Sequence, residues 1–340
     1  MDKKSKVVVA GRIPGVAGKF TPTPEEVNEL AKVNAEFVVI DYATESEVAK
    51  GAKDADVILV GITTPMTRPV IEALPKCKVI IIGSVGFDPI DVDAATDNGI
   101  IVVNNPASEW CVQEVVNHTM ALLLACAKKL VLLNNLTKQG NWSEAKQVQA
   151  PMVSIHGQTL GVIGCGAIGG TTAKVAQCFN LRVLANDPYI DKSVASEKGV
   201  TLVSLPELLK ESDFVSMHTP LNEETRHLIG EKEFKQMKPS AYFINTSRGP
   251  VVDEIALIKA LQVKWIAGAG LDVFAKEPVA PDNPLLKMDN VVVLPHSGSY
   301  SDESFKRPRI VIMQETLRLL SGRWPKNMVN KKVKPRVDLV

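Results

Sequence analysis

Short runs of continuous apolar, mostly β-branched residues recur along the first hundred positions: Lys6 to Ala10, Glu36 to Ile40, Asp56 to Val60, Lys78 to Ile82 and Ile100 to Val103. Runs without polar alternation fit parallel strands covered by helices on both faces. The gaps between them read as helices. Thr23 before Pro24-Glu-Glu-Val-Asn-Glu-Leu30 shows the pattern, with a capping hydroxyl, proline at the first helical position and acids in the first turn. A second series opens at Thr159 and continues through Arg182 to Ala185, Asp213 to His218, Ala241 to Asn245, Ile266 to Val273 and Val291 to Leu294. Between the two series a mostly apolar stretch from about Glu109 to Asn135 predicts one crossing helix, followed by a polar stretch from Lys138 to Gln149. A last helix is expected over Ser301 to Ser321, and the basic tail through Lys331-Lys-Val-Lys-Pro-Arg336 reads as a solvated terminus.

A chain of 340 residues exceeds the size at which one core keeps growing, so two domains are expected. With 45% hydrophobic and 23% charged residues the composition is globular. The formal net charge of +1 leaves no broad footprint for nucleic acid or an acidic membrane, which turns attention to a small-molecule partner. Cys77, Cys111, Cys126, Cys165 and Cys178 are widely spaced and form no C-x-x-C pair, so reduced thiols and no metal site are expected. The N-terminus runs into the first strand without a signal-like apolar region, and the longest uncharged apolar stretch, Ala121 to Ala127, is far too short to span a bilayer. These features predict a cytoplasmic protein.

Gly164-Cys-Gly166-Ala167-Ile168-Gly169 directly follows the strand-like Thr159-Leu-Gly-Val-Ile163 and opens a helix-like stretch to Phe179. Glycines there allow a tight turn and close backbone approach to a pyrophosphate, whose charge meets amides at a helix N-terminus. A glycine-rich turn also serves plain strand-to-helix packing, so the motif alone is weak. Asp187 strengthens it, ending the next strand roughly twenty residues on, where a carboxylate accepts from adenosine ribose hydroxyls and repels a 2′-phosphate. NAD is expected over NADP, since neither Pro188 nor Tyr189 supplies an arginine. The fingerprint lies in the second series, which makes the first series a separate domain, and chemistry is sought in the loops after the strands.

Three such loops carry suitable side chains. Arg248 follows Ala241-Tyr-Phe-Ile-Asn245 and offers a planar fork for a carboxylate and its neighbouring carbonyl, with an interstrand salt bridge as the alternative use. Glu277 follows Leu271-Asp-Val-Phe274, and His296 follows Val291 to Leu294. Hydride reduction of a carbonyl creates an alkoxide, which needs a proton donor active near neutral pH; histidine suits this, and a carboxylate on its far nitrogen orients it. A lone loop histidine is more often a surface residue, so the three together carry the expectation. His218 reads as a cofactor-loop residue, His118 as a hydrogen-bonded core or interface residue, and His156 and His227 have no motif around them.

Ser84-Val85-Gly86-Phe-Asp88 with Asp91, Asn104-Asn-Pro106, the glycine loop, His218-Thr219-Pro220-Leu-Asn222, Asn245-Thr246-Ser247-Arg248-Gly-Pro-Val-Val-Asp253-Glu, Leu271-Asp272-Val-Phe and Pro295-His296 together resemble the D-isomer-specific 2-hydroxyacid dehydrogenases. The resemblance covers nearly the whole chain. It implies an α/β protein of two doubly wound parallel-sheet domains: a flavodoxin-like substrate domain from residues 1–107 plus 300–340, and a Rossmann NAD-binding domain over 108–299. The implied activity is reversible hydride transfer between NAD(H) and C2 of a small 2-hydroxy or 2-oxo acid. Arg248, Glu277 and His296 are the implied catalytic set, and Ser84, Val85, Gly86, Arg248 and His296 the substrate contacts, with the amides of Val85 and Gly86 on the carboxylate. The implied cofactor set is Gly164, Gly166, Ala167, Ile168, Gly169, Asp187, His218, Thr219, Pro220, Thr225, Thr246, Ser247, Arg248, Asp272, His296, Gly298 and Cys111, Asp272 holding the nicotinamide carboxamide. Members are usually homodimers joined through the nucleotide domains, often by the crossing helix near Glu114 to Leu133.

Cys111-Val-Gln-Glu114, Asn186-Asp-Pro-Tyr189 and His296-Ser-Gly-Ser-Tyr300-Ser are similar to the branch holding phosphoglycerate dehydrogenases and the C-terminal-binding corepressors. Ile82 stands where many relatives carry an arginine that helps fix the acid, and Ser299 where the corepressors carry a tryptophan. A wall near Ile62 to Arg68, Trp110 and Ser299 is expected to set substrate choice. Two other readings remain: an NAD(H)-sensing, corepressor-like binding protein, against which the complete catalytic set and the lack of a long disordered tail argue, and a formate- or phosphite-type dehydrogenase.

Overall fold

The alternation of apolar runs and helix-like stretches resolves into two α/β units, residues 1–108 with 301–340, and residues 109–300. The computed structural model describes the backbone at residues 4–11, 20–41, 44–105 and 109–340, and the side chains of these except at 109, 110, 194 and 305–307.

In the first unit, parallel strands β1 (Ser5–Ala10), β2 (Ala35–Ile40), β3 (Val57–Val60), β4 (Val79–Ile82) and β5 (Ile101–Val103) lie in the order β2-β1-β3-β4-β5, the flavodoxin-like winding. Successive side chains turn to opposite faces. Val8, Ile58 and Ile80 pack with helices Glu45–Ala52, Arg68–Glu72 and Val92–Asp97, while Val7, Leu59 and Ile81 pack with Pro24–Lys32 and Asp302–Leu320. With both faces covered, every position of a strand can be apolar. Thr23 caps its helix as expected, its hydroxyl accepting from Glu26 N while the Glu26 carboxylate accepts from Thr23 N.

The basic tail departs from the expected solvated terminus. Val329 N donates to Val102 O (2.8 Å), Asn330 Oδ1 accepts from Val102 N (2.8 Å), and Met328 pairs antiparallel with Val103. Arg336 Nη1 donates to Leu74 O (2.8 Å), and Val340 N to Gly322 O (2.8 Å). The outer strand β5 has backbone groups to satisfy, a demand invisible in the tail's own composition.

In the second unit, β6 (Thr159–Ile163), β7 (Arg182–Asn186), β8 (Thr201–Leu202), β9 (Phe214–Met217), β10 (Tyr242–Asn245), β11 (Gly268–Leu271) and β12 (Val291–Val293) form a parallel sheet ordered β12-β11-β10-β9-β6-β7-β8. The winding reverses between β6 and β9, the crevice where such sheets bind ligands. Leu160, Ala185 and Ile244 pack under helices Glu109–Ala127 and Ala167–Cys178; Val215, Phe243 and Leu271 pack under Leu205–Glu211 and Glu254–Gln262. β8, only two residues long, offers no apolar run and was not anticipated.

The stretch expected as one crossing helix is two, Glu109–Ala127 and Leu130–Lys138, bent by 64°. Lys129 takes a left-handed φ of 49°, and the ammonium groups of Lys128 and Lys129 donate to Val153 O and Val148 O, both at 2.9 Å. The polar stretch that follows contains the helix Trp142–Val148. Among the described residues no single helix is long and apolar enough to cross a membrane. Nor, among them, does any group of three or more His, Cys, Asp or Glu side chains form a candidate metal site.

Candidate active site

Because the sheet of the second unit is parallel throughout, the loops after β6, β7, β9, β10, β11 and β12 all leave one edge. Gly164 turns out of β6 with φ 86°, and a Cβ there would stand 2.8 Å from His218 O. A Cβ on Gly169 would lie 2.0 Å from Gly164 O, so the helix beginning at Ala167 and Ile168 is packed onto the loop. Gly166, the N-cap of that helix, has nothing within 4 Å of an added Cβ. The outer two glycines answer to the protein's own backbone, while the middle one leaves open space at a helix N-terminus, as a pyrophosphate requires.

Asp187 Oδ2 accepts from Cys165 N (2.8 Å) and Oδ1 from Tyr189 N (2.9 Å), tying the glycine loop to the end of β7. Thr219 Oγ1 is buried without a partner among the described residues, and its methyl would lie 3.1 Å from a Cβ on Gly164. An unsatisfied buried hydroxyl costs about 1–3 kcal/mol, so this one suits a ligand atom. Open space at Gly166 and the orphaned Thr219 hydroxyl together fit a dinucleotide. Thr225, also expected on the cofactor, spends its hydroxyl on the loop itself, donating to Pro220 O (2.6 Å) and accepting from Asn222 N (2.9 Å). His218 Nε2 lies 2.9 Å from Ser216 Oγ, and burial pushes its pKa down to about 4, so it is neutral at ordinary pH.

At the end of β10, Asn245 is 1% exposed and winds the next turn: its Oδ1 accepts from Ser247 N (3.0 Å) and Ser247 Oγ (2.8 Å), and its Nδ2 donates to Arg248 O (2.9 Å). Thr119 Oγ1 donates to Val115 O (2.8 Å), so its 2.8 Å contact with Thr246 Oγ1 is donated by Thr246. A Cβ on Gly249 would fall 1.9 Å from the carbonyl of Phe274, an approach that only glycine allows. This presses the Arg248 turn onto the loop carrying Glu277. Cys111, on the helix Glu109–Ala127, lies in the same field: burial pushes its thiol up and the Arg248 charge opposes that.

Glu277 Oε1 accepts from Phe274 N (3.0 Å), and Oε2 lies 2.7 Å from His296 Nδ1. Burial raises the Glu277 carboxyl, but the hydrogen bond and charge of His296, the Phe274 N–H and the Arg248 guanidinium outweigh it, leaving the pKa below the ordinary carboxylate value. An ionised acceptor assigns the hydrogen to Nδ1. Nε2 has no partner among the described residues, and the His296 and Glu277 side chains are 27% and 30% exposed. His296 holds a left-handed φ of 56°, uncommon without glycine. Its N–H donates to Asp272 O (2.8 Å), while the Asp272 carboxylate accepts from Ser297 N (2.8 Å) and Gly298 N (2.7 Å). Asp272 is 1% exposed; burial raises its pKa, but His118 and the two amides lower it further, so it is ionised. A nicotinamide carboxamide there would share a carboxylate already engaged in folding the turn.

In the first unit, Ser84 Oγ donates to Gly86 O (2.7 Å), Asn104 Nδ2 to Val85 O (2.8 Å) and Asn105 N to Ser84 O (3.1 Å). The carbonyls of this loop are occupied, and the amides of Val85 and Gly86 have no acceptor among the described residues. Ile82 is buried in the core, and Arg68 pairs with Asp97 (3.0 Å). Pro106 and the Trp110 side chain lie outside the described residues. Sequence reasoning assigned no role to Thr119, Asn245 or Gly249, and placed His118 only in the core or an interface; the one signal was a polar His-Thr pair inside an apolar helix.

A family model described as D-isomer specific 2-hydroxyacid dehydrogenase, NAD binding domain, matches residues 120–298. The chain belongs to the D-isomer-specific 2-hydroxyacid dehydrogenase family. It is 40% identical over 313 residues to a glyoxylate reductase of Korarchaeum cryptofilum, covering 89% of this chain and 93% of that protein. It is 41% identical over 311 residues to a D-3-phosphoglycerate dehydrogenase of Methanocaldococcus jannaschii, covering 91% of this chain but 58% of that longer protein. The crystal structure of a D-lactate dehydrogenase from Aquifex aeolicus, complexed with NAD and lactic acid, matches with a TM-score of 0.78 and 32% identity over 93% of this chain and 96% of that one. As a D-2-hydroxyacid dehydrogenase family member, the chain is an oxidoreductase, and its second unit carries the nicotinamide-dinucleotide domain.

Proposed function

We propose that the protein transfers hydride reversibly between NAD(H) and C2 of a small 2-hydroxy or 2-oxo acid. One observation carries this reading: the 2.7 Å contact of Glu277 with His296 Nδ1, which leaves Nε2 for a reacting oxygen, on the sheet edge that also bears the glycine loop. When bound, the dinucleotide supplies the hydride in reduction and takes it up in oxidation. As the substrate oxygen gains charge, Nε2–H of protonated His296 donates to it; in the reverse direction neutral Nε2 accepts the hydroxyl proton. The Glu277 carboxylate fixes the ring through its contact with Nδ1. Arg248, whose Nη1 also donates to Ser247 O (2.8 Å), holds the substrate carboxylate and carbonyl. Asp187, facing the adenosine ribose, favours NAD over NADP. The names of the relatives, glyoxylate reductase and D-lactate dehydrogenase among them, support an acid of two to a few carbons.

A panel of glyoxylate, hydroxypyruvate, pyruvate and longer 2-oxo acids, assayed with NADH and NADPH, tests this. Turnover of at least one acid with NADH preferred is expected. Tight NADH binding with no turnover, or oxidation of formate or phosphite instead, would overturn it.

We also infer a homodimer joined through the second unit. The helix Leu130–Lys138 buries none of its residues fully, and Leu130 and Val131 are 54% and 43% exposed. Sedimentation at micromolar concentration gives one species of twice the chain mass if this holds, and a monomer if it does not. No disulfide forms among the described residues, which fits the reducing conditions of the cytoplasm.

A further inference from the structure

Asp272 gathers the N–H groups of three successive residues. Its carbonyl accepts from His296 N (2.8 Å), Oδ1 from Ser297 N (2.8 Å) and Oδ2 from Gly298 N (2.7 Å). The turn that aims the His296 ring is therefore wound around one residue with almost no access to water. Facing it from the helix Glu109–Ala127 is His118, whose Nε2 stands 3.1 Å from Asp272 Oδ1. Nε2 is buried and makes no other polar contact among the described residues. His118 also backs the turn. A Cβ on Gly298 would come within 2.9 Å of Asp272 Oδ2 and 3.5 Å of His118 Cδ2, so Gly298 is held between carboxylate and imidazole.

A carboxylate this buried stays charged only when donors surround it. Two backbone amides and, at 3.4 Å, the Ser297 hydroxyl meet it from the loop, and His118 meets it from the helix. Without His118 the carboxylate loses its restraint on that side, and the left-handed His296 backbone depends on that carboxylate's position. We propose that His118 is a positioning residue for the reaction: it steadies Asp272 as the hub of the His296–Gly298 turn and thereby sets the aim of the His296 ring. The proposal rests on the reading of His296 as the proton donor and adds a residue outside the expected catalytic and cofactor sets.

The test compares His118→Leu, which keeps apolar bulk on the helix, with His118→Gln, whose terminal amide can place a donor near the position of Nε2. Steady-state kinetics on the best oxo acid with NADH are combined with amide resonances of Ser297 and Gly298 in the full-length protein. For His118→Leu, kcat falls roughly 10–100-fold while KM for the oxo acid stays within about threefold, the signature of a misaimed group rather than lost binding. The two amide resonances shift together. His118→Gln restores kcat to within about threefold and returns both resonances. Wild-type kcat in His118→Leu, or a His118→Gln enzyme as slow as His118→Leu, overturns the proposal. His296→Ala, run alongside, separates the two ideas: turnover undiminished there overturns the donor reading and this proposal with it, whereas its loss beside an active His118→Leu overturns the positioning role alone.

Discussion

The two stretches of one sheet edge are built by different means. At the ends of β6 and β7 the chain works mainly with backbone: glycine spacing, helix-end amides and one carboxylate held by two N–H groups, all between Gly164 and Tyr189. At the ends of β10, β11 and β12 it works with side chains from three loops, each braced by a buried polar residue such as Asn245 or Asp272. The contrast follows from the task. An anion is met by N–H groups that any helix start provides, so its site can be contiguous. Proton transfer needs a titrating group aimed in one direction, and aim has to be imposed from elsewhere in the fold.

Truncating the side-chain half should leave the backbone half intact. His296→Ala is expected to lower kcat by about 10²–10⁴-fold with the NADH dissociation constant, read by fluorescence, nearly unchanged. Undiminished reduction would remove the histidine from the mechanism. The reciprocal break is Gly169→Ala, which drives a methyl toward Gly164 O. It should destabilise the fold by about 2 kcal/mol and weaken NADH binding, and an unaltered melting temperature would show that the helix can shift at no cost.

Asp187→Ala probes the one side chain on which the backbone half relies. The ratio of kcat/KM for NAD over NADP should fall about tenfold, near 1.4 kcal/mol, and a constant ratio would assign cofactor choice to another group. The last effect shows only below neutral pH and concerns His218. Its folded pKa of about 4 lies below the ordinary 6.5, so the fold favours the neutral ring, and the contribution is complete above about pH 6.5. As pH falls from 6.5 toward 4 the unfolded chain gains the proton first and stability is lost, by up to about 3 kcal/mol. His218→Asn should flatten the melting temperature over that window; a curve parallel to wild type would mean the ring protonates in place without penalty.

The same contrast governs how much was legible beforehand. Strands buried on both faces declare themselves as apolar runs, so the cores of both sheets could be read from β1 to β12, except for β8, which is too short to show a run. The break at Lys129 escaped because periodicity reports which face is buried, not where a backbone turns left-handed. The glycine loop was visible as a local motif. Arg248, Glu277 and His296 stood out as polar residues at strand ends, and the structure brings Glu277 onto His296 and the Arg248 turn against the Glu277 loop. What could not be read was the bracing: Thr119 and His118 meet their partners across long sequence separations, as Thr119 meets Thr246 and His118 meets Asp272.

The docked tail has a practical corollary for handling this protein. Val102 gives both its N–H and its C=O to residues 329 and 330, so removal of the chain after Gly322 would bare a ribbon of unsatisfied groups ready to recruit another extended chain. The symptom would be precipitation, even with every reacting group untouched. An affinity tag fused at Val340 begins at a residue whose N–H reaches Gly322 and whose carbonyl receives Trp324, so a spacer should come before the tag.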